Sequence, residues 1–397
     1  MGYDYGIPIH LLRFLCACIF GNARTYYAGL NETDRSELEA QGREFGLSAW
    51  FYRYLHDVLP DAKRTEYQKI YQARQLKAMM CAQELKRVYR VLASHDLRFV
   101  PIKGADLAFR LYPDAALRSY NDWDIWFHPD DCERALAVLA EDGWKIPDLY
   151  LDRHKKAIKT ASHHFSVHLR GQHALEPHFT LANFNGIDPH EIWKYTMVYP
   201  AGDGQRVLTP EMNLLMLARH IATKSYYHAQ LPKLLTDAAM AMKENVDFVR
   251  LREMVALWHL PYPGDLLAAF PEFFPEDIIR KFEADPDKTA EFRALFELRG
   301  KLGNAENEAL LLSRFDARGH LAGGIRKHIQ ALTSDIMRRM YLLPKRGAYV
   351  RVFWAYLCYF WSRSCRAVRW MRNKHKTRDY ARAVESVESV ESKQSAR

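Results

Sequence analysis

The sequence predicts an α+β protein in which a small mixed β-sheet is flanked by N- and C-terminal helical units. Residues 37–53 and 67–94 carry apolar side chains at helical spacing, and helical patterns return after residue 208. Between these regions, short apolar runs bounded by Gly and Pro are typical of strands. We expect five segments: a helical region at 1–95, an α/β core at 96–205, a helical region at 206–345, a basic aromatic helix at 346–380 and a disordered tail at 381–397.

Length and composition bound the class of protein. The 397 residues are enough for two or three packed units, and a hydrophobic content of 48% is that of an ordinary globular chain. None of the six cysteines belongs to a CxxC pair, which favours a reducing, cytoplasmic location. The first ten residues carry Asp4 and no Lys or Arg, unlike a signal peptide. No stretch reaches the roughly 20 apolar residues that a membrane span needs.

A strand, a tight turn and a helix begin the core. Residues 97–102 predict a strand that ends at Lys103 and Gly104, and residues 105–112 predict a helix that stops at Pro113. The first turn of a helix has unpaired N–H groups and a partial positive charge, so it attracts anions. Lys103 adds a formal charge there. By itself this is also the pattern of an ordinary strand–helix turn.

Asp122 and Asp124 lie in a second segment that predicts a strand, because Trp123 and residues 125–127 are strand formers. In a strand, residues two apart point to the same face, so both carboxylates project into one site. Two hard oxygen ligands that leave room for water and phosphate suit Mg²⁺. Two surface aspartates at a solvated strand end are the plainer alternative. The preceding strand, Lys-Gly turn and helix favour the metal site, since they place an anion cradle beside it.

This arrangement resembles an uncharacterised bacterial nucleotidyltransferase family that is related to the DNA polymerase β-like superfamily. The resemblance covers about residues 8–370, with supporting matches in the flanks at 31–55, 208–220 and 234–237. The motif residues that carry it are 100–104, Tyr112, Pro113, Arg118, Asp122, Asp124, 125–127 and 131–144. The classical superfamily pattern has Gly-Ser in place of Lys-Gly and a shorter gap to the aspartates, which leaves the triphosphate contacts open.

The resemblance implies a third carboxylate on a neighbouring strand, within an acid-x-His pattern that an aromatic residue follows. Glu176, His178 and Phe179 fit that pattern. Pro177 cannot donate a hydrogen bond to a sheet, so we expect an edge strand or a strand end here. His178 would share the face of Glu176 and line the acceptor side of the site.

Five histidines fall within sixteen residues, but their spacing matches no zinc motif and no cysteine is near. The cluster consists of His163, His164, His168, His173 and His178. A structural metal is a minor alternative to one or two of them lining the active site.

The net charge of +9 is concentrated near the C-terminus. Residues 345–382 contain eleven Lys or Arg and one acid, and residues 352–361 are aromatic and apolar. Three interpretations stay open for this segment. It is a core helix with a solvated end, or a helix on an anionic membrane surface, or a surface that holds RNA through phosphate contacts and stacking.

The resemblance implies transfer of a nucleoside monophosphate from an NTP to a hydroxyl, with Mg²⁺ or Mn²⁺ as cofactor and release of pyrophosphate. Asp122, Asp124 and Glu176 would bind the metals, and Lys103, Gly104 and Arg118 would hold or neutralise the phosphates. The acceptor is open among small molecules, peptides, proteins and RNA. Two alternatives are an inactive nucleotide-sensing or partner-binding module, and a tRNA-modifying enzyme of the toxin or defence type.

Overall fold

The computed structural model describes residues 8–146, 167–169, 173–181, 184, 187–200, 204–224 and 230–301. The predicted basic aromatic helix at 346–380 and the predicted tail at 381–397 lie outside these residues. The whole segment 345–382, for which core, membrane-surface and RNA-binding interpretations are open, also lies outside them.

The described residues before 95 are mostly helical, as predicted. Its helices are α1 (Ile9–Phe20), α2 (Ala23–Gly29), α3 (Glu32–Glu44), α4 (Ser48–Leu55) and α5 (Asp61–Ser94). The helical pattern at 37–53 is divided between α3 and α4, because Gly46 takes a positive φ of 65° after α3. Pro60 immediately precedes α5, which accounts for the break that the sequence predicts there.

The core contains a four-stranded mixed sheet. In chain order its elements are β1 (Phe99–Ile102), α6 (Lys103–Arg110), a 3-10 helix (Ala115–Leu117), β2 (Asp122–Phe127), α7 (Cys132–Glu141), β3 (Val167–Leu169) and β4 (His173–His178). The strand order is β1-β2-β4-β3. Strands β1 and β2 are antiparallel, β2 and β4 are parallel, and β4 and β3 are antiparallel.

The described residues from 187 to 301 form a hairpin and further helices. These elements are α8 (Pro189–Trp193), β5 (Thr196–Val198), β6 (Arg206–Leu208), α9 (Pro210–Lys224), α10 (Leu231–Ala241), α11 (Phe248–Leu257), α12 (Pro263–Ala268), α13 (Glu276–Phe282) and α14 (Pro286–Lys301). Strands β5 and β6 are antiparallel. Thr209 caps α9 through its hydroxyl, since Met212 N–H donates to Thr209 Oγ1 at 3.4 Å. Two prolines and a glycine at 261–264 predict a loop from sequence, but the second half of this prediction is wrong because Pro263 begins α12.

Two apolar cores cover the two faces of the sheet. Trp123, Ile125 and Phe127 pack with α7 and the C-terminal half of α5 on one face. Val100 and Trp126 face the other way and join a larger core with α1, α4, α9 and α10. Asp122 and Asp124 alternate with Trp123 and Ile125, so they point toward this larger core. Helices that precede the sheet in the chain and helices that follow it therefore share the core on the face to which the carboxylates point. The α+β prediction is confirmed.

Among the described helices, none combines the length and the apolar character that crossing a lipid bilayer requires.

Candidate active site

Asp124 and Glu176 face each other across two parallel strands. The register of β2 and β4 pairs Asp122 with Ala174, Asp124 with Glu176 and Trp126 with His178. Paired residues of neighbouring strands point to the same face. One side of the sheet therefore carries the side chains of Asp122, Asp124, Glu176 and His178. The shared face that the sequence predicts for the two aspartates is the one observed. The structure also places Glu176 beside them.

Lys103 reaches the same site from the other neighbouring strand. Ile102 is the register partner of Asp124, so Lys103 is the first residue beyond the paired part of β1. Its Nζ donates to Asp124 Oδ1 at 2.8 Å. The backbone of Lys103 has a φ of +56°, a left-handed conformation that side chains other than glycine rarely adopt. Such local strain is common at functional sites, where surrounding structure holds the residue in place.

His178 contacts the same carboxylate oxygen. Its Nε2 lies 2.7 Å from Asp124 Oδ1 and 3.9 Å from Glu176 Oε2, and the ring is fully buried. Burial and the nearby Lys103 lower the pKa of His178, despite the opposing effect of Asp124. We therefore assign a neutral ring that carries its proton on Nε2 and donates it to Asp124. Such a hydrogen bond orients the carboxylate.

The two aspartates have opposite electrostatic environments. Burial would raise the pKa of Asp124, but Lys103 and His178 hold it well below its ordinary value. Burial and the Asp124 charge raise the pKa of Asp122, and Lys103 and Lys233 only partly offset them. Paired carboxylates whose pKa values diverge are typical of sites where charge must be rearranged during a reaction.

The donor set fits a divalent cation. Ligand atoms of Asp124, Glu176 and His178 lie within 4.8 Å of one another. Lys103 and His178 both contact Asp124 at Oδ1, and no described residue donates a hydrogen bond to Oδ2. Carboxylate oxygens are the ligands that Mg²⁺ and Mn²⁺ prefer, and Asp122 can add a further oxygen on the same face.

A second group of possible metal ligands lies beyond the end of β2. It consists of His128, Asp130 and His190, with Asp130 carboxylate oxygens 3.4 Å from His128 Nδ1 and 3.6 Å from His190 Nε2. The Arg98 guanidinium already contacts both His128 and Asp130. This second group offers one carboxylate and two imidazoles, whereas the face of the sheet offers the carboxylates of Asp122, Asp124 and Glu176, so the sheet site fits Mg²⁺ or Mn²⁺ better.

Arg118 is buried in an ion pair that the sequence does not predict. Its Nε donates to Asp237 Oδ1 at 2.6 Å and its Nη2 donates to Asp237 Oδ2 at 2.7 Å. Its Nη1 donates to the carbonyl oxygen of Ser119. All three guanidinium nitrogens therefore have acceptors within the protein. Burial would lower the pKa of Arg118, but Asp237 raises it, and Asp124 lies near enough to add a smaller effect in the same direction.

Gly104 packs closely against the loop before β2. A Cβ placed on Gly104 would lie 3.0 Å from the Cβ of Tyr120, a distance that real side chains rarely reach. The residue lies in the first turn of α6, where backbone N–H groups have no acceptor within the helix. The absence of a side chain lets α6 pack against the loop before β2.

The structure brings the predicted sheet residues together, and it adds residues of α10 that the sequence analysis does not name as site residues. The segment 234–237 contributes to the family resemblance, but nothing in one sequence assigns Asp237 to Arg118. Asp237 also accepts a hydrogen bond from the Tyr112 hydroxyl at 2.7 Å. Lys233, one helical turn before Asp237, influences the pKa of Asp122. These residues come from a helix more than a hundred positions after the aspartates.

The remaining site predictions have mixed outcomes. Strand β4 is not an edge strand in the described sheet, but Pro177 lies beyond the residues of β4 that pair with β3, which agrees with a strand end. His168 and His173 lie on β3 and β4, and the orientations of their side chains stay predictions. His163 and His164 lie outside the described residues.

Comparison with known proteins identifies the family of this chain. A family described as uncharacterised nucleotidyltransferase matches residues 32–263, which is more than half of the chain. The matched segment contains the carboxylates, Lys103 and Gly104, Arg118, and the α10 residues Lys233 and Asp237. Searches of curated proteins and of solved structures find no significant match. The chain therefore belongs to this uncharacterised nucleotidyltransferase family.

Proposed function

We propose that this protein transfers a nucleoside monophosphate from an NTP to a hydroxyl acceptor and releases pyrophosphate. Family membership supports nucleotidyl transfer in general, with an NTP as substrate. The observation that carries the finer proposal is the register of β2 and β4, which pairs Asp124 with Glu176 beside Asp122. Three carboxylates on one face form a donor set of the kind that phosphoryl-transfer chemistry requires.

Asp122, Asp124 and Glu176 would hold two divalent cations, Mg²⁺ or Mn²⁺. Such ions, when bound, neutralise the triphosphate and lower the pKa of an acceptor hydroxyl. The reaction itself changes two bonds at the α-phosphorus. The hydroxyl oxygen forms a bond with the α-phosphorus, and the bond from that phosphorus to the bridging oxygen of the β-phosphate breaks. Pyrophosphate leaves with the electron pair.

Glu176 is the proposed acceptor of the hydroxyl proton. Its side chain is 22% exposed, whereas that of Asp124 is 6% exposed and already has two donors on Oδ1. A partly exposed carboxylate can receive a proton and pass it to water, which the buried Asp124 cannot do as readily. Asp124 keeps its charge because Lys103 and His178 stabilise it.

Lys103 and the first turn of α6 are the proposed site for the β- and γ-phosphates. Lys103 Nζ is held at the carboxylates by Asp124, and the amide of Gly104 lies in the helix turn that follows. Positive charge and unpaired N–H groups at one helix end favour phosphate oxygens. His178 keeps Asp124 oriented from the opposite side.

Arg118 has a proposed long-range role. Since Asp237 and Ser119 engage its guanidinium, direct contact with phosphate would require these bonds to break. We propose that Arg118 fixes the loop before β2 and adds positive charge near Asp124. Charge that is fixed in a buried site needs no reorganisation during the reaction, so it can stabilise the leaving pyrophosphate from a distance.

The test is transfer of label from each α-³²P NTP with Mg²⁺, in the presence and absence of cell extract. We expect a labelled product with the wild-type chain and none with Asp122→Asn/Asp124→Asn, and the size of the product would indicate the acceptor class. Circular dichroism and thermal unfolding of the double variant serve as controls for the fold. NTP binding that needs Mg²⁺ but gives no transfer would favour the nucleotide-sensing alternative. Equal labelling by the double variant would refute the proposed mechanism.

A further inference from the structure

Lys233 lies beside the carboxylate site, and no residue that the structure describes acts as its counter-ion. It is placed one helical turn before Asp237 on α10, so the two side chains share a helix face. That face meets the loop before β2, because Asp237 binds Arg118 there. Nζ of Lys233 makes no hydrogen bond or ion pair with any residue that the structure describes. Asp122 and Asp237 act on it only through longer-range attraction.

The environment of Lys233 disfavours a bare positive charge. Its side chain is half-buried, and burial together with the charge of Arg118 lowers its pKa. Moving an ammonium group from water into a partly buried position costs free energy unless an anion or an acceptor compensates it. The described structure provides neither within contact distance of Nζ.

Arg74 on α5 is a second cation with unused hydrogen-bonding capacity. Its Nη2 donates to the carbonyl oxygen of Gly46 at 2.7 Å, but its Nη1 is buried and has no acceptor. Neighbouring residues of α5 reach the loop before β2, since Lys77 Nζ donates to the carbonyl oxygen of Tyr120 at 3.4 Å. Burial lowers the pKa of Arg74, and Arg74 in turn contributes to the lowered pKa of Lys233. The two cations are therefore within electrostatic range of each other.

The repulsion between two partly buried cations costs free energy, which a nearby anion would offset. A carboxylate from the protein could neutralise them, as Asp237 does for Arg118, but no described carboxylate pairs with either one. A phosphate group has several charged oxygens and could accept from Nη1 and Nζ at once. Arg and Lys supply complementary contacts to such a group, one through a planar fork and one as a point charge.

We propose that Arg74 and Lys233 form a phosphate-binding subsite next to Asp122, separate from the cradle at Lys103 and Gly104. This inference rests on the proposed function for the identity of its ligand. The occupant is a phosphate group, either the terminal phosphates of the NTP or a phosphate carried by the acceptor. In the second case the acceptor belongs to the class of phosphorylated hydroxyl compounds.

The first test measures anion binding by the full chain without turnover. Isothermal titration calorimetry with inorganic tripolyphosphate gives the dissociation constants of the wild type, Lys233→Met and Arg74→Gln. Two exposed residues provide matched controls: Lys243→Met just after α10, and Arg90→Gln on α5. We expect each test variant to bind at least about tenfold more weakly, as loss of a charge-assisted contact predicts, and each control to stay within about twofold of wild type. Test variants that bind like the controls would overturn the proposal.

Two further ligands identify the occupant. If NTP binding weakens together with tripolyphosphate binding, the subsite holds the phosphates of the nucleotide. If NTP binding is unchanged and binding of ribose 5-phosphate is lost, the subsite holds the phosphate of the acceptor. Both results support the subsite. The label-transfer assay tests the proposed function independently. Weaker anion binding by the variants, together with no transfer by the wild type, would support the subsite and refute the function. Unchanged anion binding by the variants, together with transfer by the wild type, would do the reverse.

Thermal unfolding separates a ligand site from a structural role. Without added anion, Lys233→Met should be at least as stable as the wild type, because the change removes a poorly compensated charge and keeps the length of the side chain. The wild type should gain more stability from tripolyphosphate than the variant does. A variant that is strongly destabilised, with an unchanged gain from tripolyphosphate, would assign Lys233 to packing alone. If Arg74→Gln fails to fold, Lys233→Met decides the question.

Discussion

Arg118 and Asp237 form a buried, two-pronged ion pair between the loop before β2 and helix α10, although 119 positions separate them in the chain. The side chains are 6% and 1% exposed. This pair links the helical region after residue 206 to the start of the strand that carries Asp122 and Asp124. The helical region therefore helps to position β2.

Asp237→Asn should lower the free energy of unfolding by about 3 kcal/mol or more, because it leaves the buried Arg118 without its counter-ion. Urea unfolding of the purified variant measures this change. Arg118→Met/Asp237→Leu removes both charges, so it should recover much of the stability while nucleotidyl transfer stays impaired. Recovery of both stability and transfer in the double variant would show that the pair has no role in the site.

Lys103→Met should abolish most of the transfer activity and at the same time lower the Mg²⁺ concentration that half-saturates binding. The ammonium neutralises the phosphates in our proposal, but it also occupies Asp124 Oδ1, so its removal leaves this carboxylate more available to a cation. Mg²⁺ titration followed by calorimetry, beside turnover measurements, tests both effects. Exposed Lys69→Met on α5 is the control. Unchanged turnover would show that Lys103 does not neutralise the phosphates during transfer.

His178→Ala should reduce turnover by about 10- to 100-fold, with a smaller effect on NTP affinity, because the ring orients Asp124 without contacting the nucleotide. His178→Gln retains a donor and should recover part of the loss. Steady-state kinetics with separate determination of kcat and KM distinguishes this role from substrate binding. A change confined to KM would instead indicate that His178 contacts a substrate.

Gly104→Ala should destabilise the fold by about 1–3 kcal/mol and reduce transfer, because the new methyl group would approach Tyr120 Cβ to 3.0 Å. Gly29→Ala is a matched control, since a Cβ at Gly29 meets no atom within 4 Å. We expect the control to be neutral or slightly stabilised. Thermal unfolding of both variants, together with the label-transfer assay, checks the pair. Equal behaviour of the two variants would contradict the close packing of α6 on the loop.

Asp131 should contribute stability that disappears in acid. Burial would raise its pKa, but hydrogen bonds from Arg98 hold it below the ordinary value. A carboxyl group with a depressed folded pKa stabilises the protein above its unfolded pKa of about 4 and loses that contribution as the pH falls through the lower folded value. Asp131→Asn should therefore cost about 1–2 kcal/mol at pH 7, and the difference from wild type should shrink below pH of about 4. Urea unfolding at pH 7, 5 and 3.5 measures it. A difference that does not depend on pH would contradict the ion pair.

Much of the site follows from local sequence. The alternation of Asp122 and Asp124 with Trp123 and Ile125 is enough to predict that the carboxylates share a face, because a strand has a two-residue repeat. Lys103 is predictable as part of a strand–turn–helix. Its contact with Asp124 depends on the antiparallel register of β1 and β2, and one sequence does not specify which residues pair.

The sequence by itself determined the α+β class, the helical regions, the shared face of the aspartates and the family resemblance, because these depend on residue types at short spacing. Only the tertiary structure decided that Asp124 pairs with Glu176, that Arg118 binds Asp237, and that Arg74 and Lys233 have no counter-ion among the described residues. Each of these relationships joins distant segments of the chain. Their energies come from burial and charge, which depend on how complete elements pack and which no local pattern encodes.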